Sequence, residues 1–365
     1  MKGSRIKGLE KPGPLLPFSA EEVALRLLEW YGLAGRELPW RQTRDPYLIW
    51  LSEIMLQQTT VAAVIGYYRH FLERFPRLET LASAPLEEVI DLWAGLGYYA
   101  RARNLHATAR ELVKQRGSEF PRSVEELMML PGIGRSTAGA IAALAFDQSA
   151  PILDGNVRRI FCRLFALNEL PRSGTAEKKL WMWAEALTPE SRAHDYTQAI
   201  MDLGALICTP KKPRCDQCPL EPLCQAKIQN LVALLPLKTL GKKIPNRHQL
   251  ALLLVDNGRG LIQRRPPNGL LGGLWEFPGF DATKVNPFDA IRQHCAGRPS
   301  ISEIHLLGHA QHIYSHFRLE VDFYRVDLVP CDEVAETEEH WLMLDDLQRL
   351  PLHGAHKKLL PLIGA

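Results

Sequence analysis

The sequence predicts two domains, an all-α domain built round a helix–hairpin–helix and a smaller α+β domain after it. Three observations carry this. Leu130-Pro131-Gly132-Ile133-Gly134 interrupts two stretches of helical spacing, and four of the seven cysteines crowd into Cys208, Cys215, Cys218 and Cys224. Beyond Arg247 the apolar period changes from helical to two, which marks strands.

The hairpin is the centre of the first domain. Ser123 with Glu126 is a capping box, so a helix should begin there and run through Leu130. Pro131 and two glycines force a tight turn. Ser136 to Phe146 resumes helical spacing with Ala138, Ile141, Ala142 and Ala145 on one face. The second helix then starts with unpaired backbone N–H groups, which suit a phosphate. A plain helix–turn–helix core element is the other reading of this stretch alone.

With 365 residues, 46% hydrophobic and 23% charged, the chain has the make-up of an ordinary protein with two cores. Its net charge of +3 hides an asymmetry: residues 1–247 carry +7 and residues 248–365 carry −4. A basic first part fits a polyanionic partner. No apolar run reaches membrane-spanning length, and Met1 to Phe18 has no signal-peptide core. The expectation is therefore a cytoplasmic protein with no membrane partner. Residues 1–18 are basic and rich in Pro and Gly, which reads as a flexible arm.

Ser19 and Glu22 form a second capping box, opening a helix to about Tyr31. Leu38-Pro39-Trp40-Arg41 lies in a loop. Asp45-Pro46, an N-cap followed by Pro at the first helical position, starts a helix through Gln57 and Gln58. On it Glu53 shares a face with Ile49, Trp50 and Leu56, so its carboxyl should be partly desolvated and its pKa raised. Gly95-Leu-Gly97-Tyr98-Tyr99-Ala-Arg101-Ala-Arg103 interrupts later helices. Interleaved Tyr and Arg suit stacking on bases and pairing with phosphates, and both tyrosines also suit a core. Asp154 stands at the N-cap of a helix expected over Val157 to Leu167. That end should favour the anion and keep Asp154 charged.

The clustered cysteines are separated by gaps of six, two and five residues. An odd total without a secretory signal argues against a disulfide framework. Zinc sites usually show two Cys pairs, and only one C-x-x-C occurs, so an iron–sulfur cluster is the preferred reading. Residues 230–247 turn to Pro, Lys and short apolar pieces, a linker. Leu250 to Val255, Gly260 to Gln263 and Leu319 to Val326 read as strands.

Residues 19–229 resemble the endonuclease III superfamily of helix–hairpin–helix base-excision glycosylases. The hairpin, Asp154 some twenty residues on and the cysteine loop at 208–224 carry the resemblance. Trp50-Leu-Ser-Glu-Ile-Met-Leu-Gln-Gln-Thr59, Gly95 to Asn104 and Ile152-Leu-Asp-Gly-Asn-Val157 are similar to the adenine glycosylase branch. Residues 248–365 resemble its C-terminal, Nudix-like domain, most clearly in Gly272 to Gly279. The metal-binding acidic helix of active Nudix enzymes is absent there. Asp289-Ala-Ile-Arg-Gln-His294 stands in its place, with one carboxylate.

The resemblance implies a monofunctional glycosylase that removes adenine mispaired with 8-oxoguanine or guanine from double-stranded DNA, acting as a monomer. The other branch, bifunctional pyrimidine glycosylase–lyases, has a nucleophilic lysine where this chain has Ser136. A hydroxyl forms no imine. By the same likeness Glu53 is the acid, Asp154 stabilises the sugar cation or attacks it, and Asn156 and Tyr98 assist. Arg36, Trp40, Arg41, Leu56, Gln57, Gln58, Thr59, Ser136 and Gln198 would line the substrate site, and Gly132 and Gly134 would grip the backbone. Tyr314-Ser315-His316 would help read 8-oxoguanine, with Tyr in place of the family's Phe. Cys208, Cys215, Cys218 and Cys224 would hold a structural [4Fe-4S] cluster. The location implied is the cytoplasm, on the nucleoid of a bacterium.

Overall fold

The computed structural model describes residues 16–239, 244–266, 269–282, 286–314, 316–329 and 340–363. Its chain contacts divide into two compact units. The first comprises Met1–Tyr68, Arg77–Ala82 and Ala107–Leu240; the second comprises Arg69–Pro76, Ser83–His106 and Gly241–Ala365. The arm read over residues 1–18 lies, up to residue 15, outside the described residues, as do Ser315 and Cys331.

Twelve helices run from residue 20 to residue 228: α1 Ala20–Ala34, α2 Pro46–Leu56, α3 Val61–Arg74, α4 Leu78–Ser83, α5 Leu86–Trp93 and α6 Ala100–Arg116. They continue as α7 Val124–Met128, α8 Arg135–Phe146, α9 Gly155–Leu164, α10 Gly174–Leu187, α11 Ala193–Asp202 and α12 Gln225–Ile228. The caps read from sequence form. Ser19 and Ser123 accept from the amides of Glu22 and Glu126, and Asp45 accepts from Tyr47 N at 2.8 Å. Each satisfies an amide that a helix start leaves unpaired.

The core of the first unit forms round α9, whose Val157, Ile160, Phe161 and Leu164 recur at helical spacing and are all buried. They pack with Val23 and Leu27 of α1, Leu180 of α10 and Ile200 of α11. Several boundaries differ from the sequence reading: α2 stops at Leu56 rather than Gln58, and α7 at Met128 rather than Leu130. α9 begins at Gly155 and ends at Leu164, so Asn156 lies on its first turn. Asp154 alone satisfies the cap, and nothing holds Gly155 and Asn156 out of the helix. α11 passes directly into a π-helical turn, Leu203–Ile207, a form often found at functional sites.

The second unit carries a sheet of β1 Asn246–Asp256, β2 Arg259–Arg264, β3 Trp275–Glu276, β4 Gly279–Asp281, β5 Ile301–Ile313, β6 Arg318–Leu328 and β7 His340–Met343. The order is β3-β2-β1-β6-β5, with β4 on β1 and β7 on β2. Between named strands of the described residues only β1–β6 is parallel, with Leu250 opposite Asp322, and an isolated parallel bridge joins Trp275 to Leu352. β1 reads as an unbroken apolar run because both its faces are covered. Ala251, Leu253 and Val255 enter one core, and Leu250, Leu252 and Leu254 enter the other. α13 Pro287–His294 covers the second, and α14 Gly354–Lys357 covers the first. β1 starts inside the stretch read as a linker.

Candidate active site

α2 is fixed by its capped start and by the burial of Ile49, Trp50, Leu51, Ile54 and Met55. That leaves Glu53 partly buried, facing two cavities of the first unit. The larger, about 190 Å³, is bordered by Glu53, Arg36, Leu56, Gln57, Thr59, Ser136, Asp154 and Asn156. The smaller, about 50 Å³, is bordered by Glu53, Arg36, Leu56, Trp40, Arg41, His194 and Gln198. Sequence-predicted residues separated by more than a hundred positions therefore meet round one carboxyl.

Burial, reinforced by the nearby Asp154 charge, pushes Glu53 up to about 7, against a pull from Arg41. A carboxylic acid near neutrality can both give and take a proton. Asp154 forms the expected cap, and burial sets the direction of its shift. Its Oδ1 accepts from Val157 N at 2.7 Å, as an N-cap should. Burial nevertheless raises its pKa above the ordinary value, against the bonds from Val157 and Asn156 and the charges of Arg159 and Arg158. The helix end opposes the shift; desolvation decides its direction. Asn156 is set by Arg159, whose Nη2 lies 2.8 Å from its Oδ1 and 2.8 Å from Gly204 O. Gly204 is required here because a Cβ would lie 2.5 Å from that of Asn156.

Asp202 braces the wall of the smaller cavity through Arg36 and Arg41. Asp202, wholly buried, accepts from Arg36 N at 3.0 Å and Nε at 2.7 Å, and from both terminal nitrogens of Arg41 at 2.7 Å. Burial works to raise Asp202, and these bonds bring it below the usual range. The two arginines are thus held by a carboxylate rather than free for a ligand's charge. Trp40 packs edge-on against Tyr68 at 5.3 Å. Sequence reasoning did not single out Asp202, although it lies four residues after Gln198 on α11. His194, four residues before Gln198, went unnoticed too; its Nε2 is 2.8 Å from Gln198 Nε2.

At the hairpin, Gly132 takes φ 77°, a left-handed conformation that favours glycine. Gly134 occupies the N-cap of α8 with no side-chain cap, and both glycines are exposed. The amides of the first turn therefore face outward without a cap from Gly134, the arrangement that binds a phosphate. Ser136 accepts from Leu153 N at 3.0 Å, tying α8 to the segment before Asp154. Gln57 donates to Thr137 Oγ1 at 3.3 Å, and Thr59 donates to Gln57 O at 3.4 Å. Gln58 is exposed with φ 58°.

Tyr98, Tyr314 and His316 belong to the second unit. Tyr98 is exposed at φ 51°, whereas Tyr99 is buried and its hydroxyl accepts from Gly95 N. The two arginines do not present phosphate-binding forks. Arg101 is buried and donates to Leu96 O and Gly97 O, and Arg103 donates to Gly272 O and Gly269 O. Tyr314 turns inward, its hydroxyl 3.0 Å from His353 Nδ1 and accepting from Ala355 N at 3.1 Å. His316 is exposed.

Cys208, Cys215, Cys218 and Cys224 border one cavity of about 30 Å³. All are free thiols, and Arg163 Nη1 lies 3.3 Å from Cys208 Sγ. Among the described residues no three His, Cys, Asp or Glu side chains are grouped so as to hold a metal ion. Four thiols facing a shared cavity are an all-sulfur donor set, which fits a cluster bound through four thiolates. No helix among the described residues is long and apolar enough to cross a membrane.

Residues 51–186 match the family described as HhH-GPD superfamily base excision DNA repair protein, and residues 250–362 match the NUDIX domain. The hairpin, the acid-lined pocket and these matches define a base-excision DNA glycosylase with an appended Nudix-type domain. Mouse adenine DNA glycosylase (Mus musculus) is 36% identical over 403 residues, covering 93% of this chain and 78% of that protein. The human protein (Homo sapiens) is 36% identical over 406 residues, covering 93% and 74%. That of Buchnera aphidicola subsp. Schizaphis graminum is 37% identical over 297 residues, covering 81% and 84%. Among solved structures, a thermostable thymine-DNA glycosylase superposes with a TM-score of 0.53 at 31% identity, covering 57% of this chain and 97% of that one. The chain belongs to the adenine DNA glycosylase family.

Proposed function

We propose that the protein hydrolyses the N-glycosidic bond of adenine opposite 8-oxoguanine or guanine in duplex DNA, without cutting the strand. The observation that carries this is Glu53, a carboxylic acid raised to about 7 between two cavities and beside Asp154. A base stacked in a duplex is out of reach, so the nucleotide must first be extruded. Gln57 or Gln58, and Tyr98, are the side chains to fill the gap. The amides at Gly132 and Gly134 hold a phosphate.

Adenine leaves poorly unless protonated. Glu53 donates its proton to N7, the C1′–N9 bond breaks with its electron pair going to N9, and an oxocarbenium-like sugar forms. Asp154 as carboxylate stabilises that cation, and Asn156 beside it orients the approaching water. The Glu53 carboxylate takes the water's proton as its oxygen bonds to C1′, leaving adenine and an abasic site. Arg36, Trp40, Arg41, Leu56, Thr59 and Gln198 shape the base pocket. Ser136 offers no amine, so no imine with the sugar forms.

Tyr314, Ser315 and His316 read the opposite base, because 8-oxoguanine alone presents an N7–H donor beside an O8 acceptor. We take residues 19–229 as the glycosylase domain and 248–365 as the recognition domain, in a cytoplasmic monomer. Cys208, Cys215, Cys218 and Cys224 would hold a [4Fe-4S] cluster that orders the basic loop of Lys211, Lys212 and Arg214. Hydrolysis needs no electron transfer, so its contribution there is structural. Metal analysis should find iron; stoichiometric zinc without iron would remove the cluster from this reading.

The deciding measurement is single-turnover base release from duplexes carrying A or T opposite guanine and 8-oxoguanine, with and without borohydride. Adenine should be freed, fastest opposite 8-oxoguanine, from an intact strand cut only by later alkali. Efficient borohydride trapping with nicking as fast as base release would overturn the monofunctional reading.

A further inference from the structure

Gln198 borders the smaller cavity, and three neighbours decide which way its amide points. Asp195 Oδ1 lies 3.0 Å from His194 Nδ1. A carboxylate only accepts, so Nδ1 carries the ring proton. Burial lowers the His194 pKa, so the ring is neutral near pH 7 and its Nε2 is a bare acceptor. Only an amide N–H can face that atom, and the Gln198 nitrogen sits 2.8 Å from it. The Gln198 oxygen then falls to Tyr31, whose hydroxyl donates to it. Asp195 is itself fixed by Arg192 at 3.1 Å.

One N–H of Gln198 and one lone pair of its oxygen remain for a ligand. An amide offering a donor beside an acceptor is the bidentate complement of adenine. With Glu53 on N7, the edge left for Gln198 is the 6-amino group with N1. A 6-oxopurine presents the reverse pattern there, an acceptor at O6 and a donor at N1. A freely rotating amide would pair with either; a locked one pairs with one.

We propose that His194, oriented by Asp195, and Tyr31 lock the Gln198 amide so that the pocket accepts a 6-aminopurine and rejects a 6-oxopurine. His194 and Tyr31 are positioning residues, acting through Gln198. The inference rests on the reading that this cavity receives the extruded adenine.

The test compares kcat/KM for full-length protein on duplexes carrying deoxyadenosine or deoxyinosine opposite 8-oxoguanine. Wild type should favour deoxyadenosine. His194→Leu, which removes the acceptor, should lower that ratio by about tenfold or more, the value of one good bidentate pair. His194→Gln, whose side-chain oxygen still accepts, should recover part of it. Tyr31→Phe, which removes the opposite anchor, should lower the ratio independently if His194→Leu fails to fold. A merely structural role would slow both substrates alike and leave the ratio unchanged, and that outcome in both variants overturns the lock. A wild type that releases no adenine overturns the pocket reading instead.

Discussion

Two glutamates, one in each unit, sit in buried surroundings and behave in opposite ways. Glu53 of the helical unit is raised to about 7. Glu276 of the sheet unit is held below the ordinary carboxylate range although burial works to raise it. The difference is in their partners. Glu276 accepts from Arg265 and from Gln263 Nε2 at 3.1 Å, with His353 Nε2 3.7 Å away. Glu53 has Asp154 beside it, and the nearby Arg41 is already committed to Asp202. Desolvation acts on both side chains, and a supplied or withheld cation sets its outcome. One arrangement builds an anion that braces a strand, and the other favours the protonated carboxyl up to near neutrality.

The contrast can be broken most severely at Glu53. Glu53→Gln keeps size and polarity but carries no transferable proton, so single-turnover adenine release should fall by ~100- to ~10,000-fold while DNA binding persists. Retention of more than a tenth of the wild-type rate would end the general-acid assignment. The corresponding loss at Glu276 is one of stability. Glu276→Ala removes the acceptor of Arg265 and Gln263 and should cost about 1–3 kcal/mol in denaturant unfolding, with release per folded molecule largely kept. If stability were unaffected, the bracing role would be wrong.

The comparison sharpens further through pH. The unfolded Glu53 carboxyl ionises near its ordinary 4.5 and the folded one near 7. A raised acid weakens the fold as pH climbs between those values, by roughly 3 kcal/mol once above 7. Glu53→Gln removes that penalty, so it should unfold later than wild type at pH 8 and show no such gain at pH 4. The proton-donating form is also lost above about 7, so wild-type release should decline there. A flat rate between pH 6 and pH 9 would contradict it.

Much of the site was legible. The spacing of Ile49, Trp50, Glu53 and Leu56 foretells a desolvated carboxyl because one helix face contains its own apolar neighbours. Asp154 as N-cap follows from local chemistry, but the direction of its shift does not. That depends on how deeply α9 is buried, a tertiary quantity. Arg101 misled for a similar reason, since Tyr-Arg interleaving describes composition and not where a guanidinium finds carbonyls. Asp202 and His194 went unseen because Asp202 meets Arg36 across 166 positions and Gln198, which His194 holds, meets Tyr31 across 167. In the sheet, the unbroken apolar run at Leu250 to Val255 announced a strand. That both its faces would be covered became evident only with α13 and α14 in place.

The bond between Ser136 Oγ and Leu153 N couples the identity of residue 136 to the position of Asp154. A lysine at 136 would supply the amine for strand cleavage, but it would take away the acceptor that fixes the chain one residue before Asp154. Leaving the Leu153 amide unmatched costs about 1–3 kcal/mol, and the loss falls one residue before Asp154. A single codon change here therefore adds a nucleophile and loosens its electrostatic partner at once. Ser136→Lys should therefore slow adenine release even where it gains a borohydride-trappable imine, and release at the wild-type rate would show that the bond does not position Asp154.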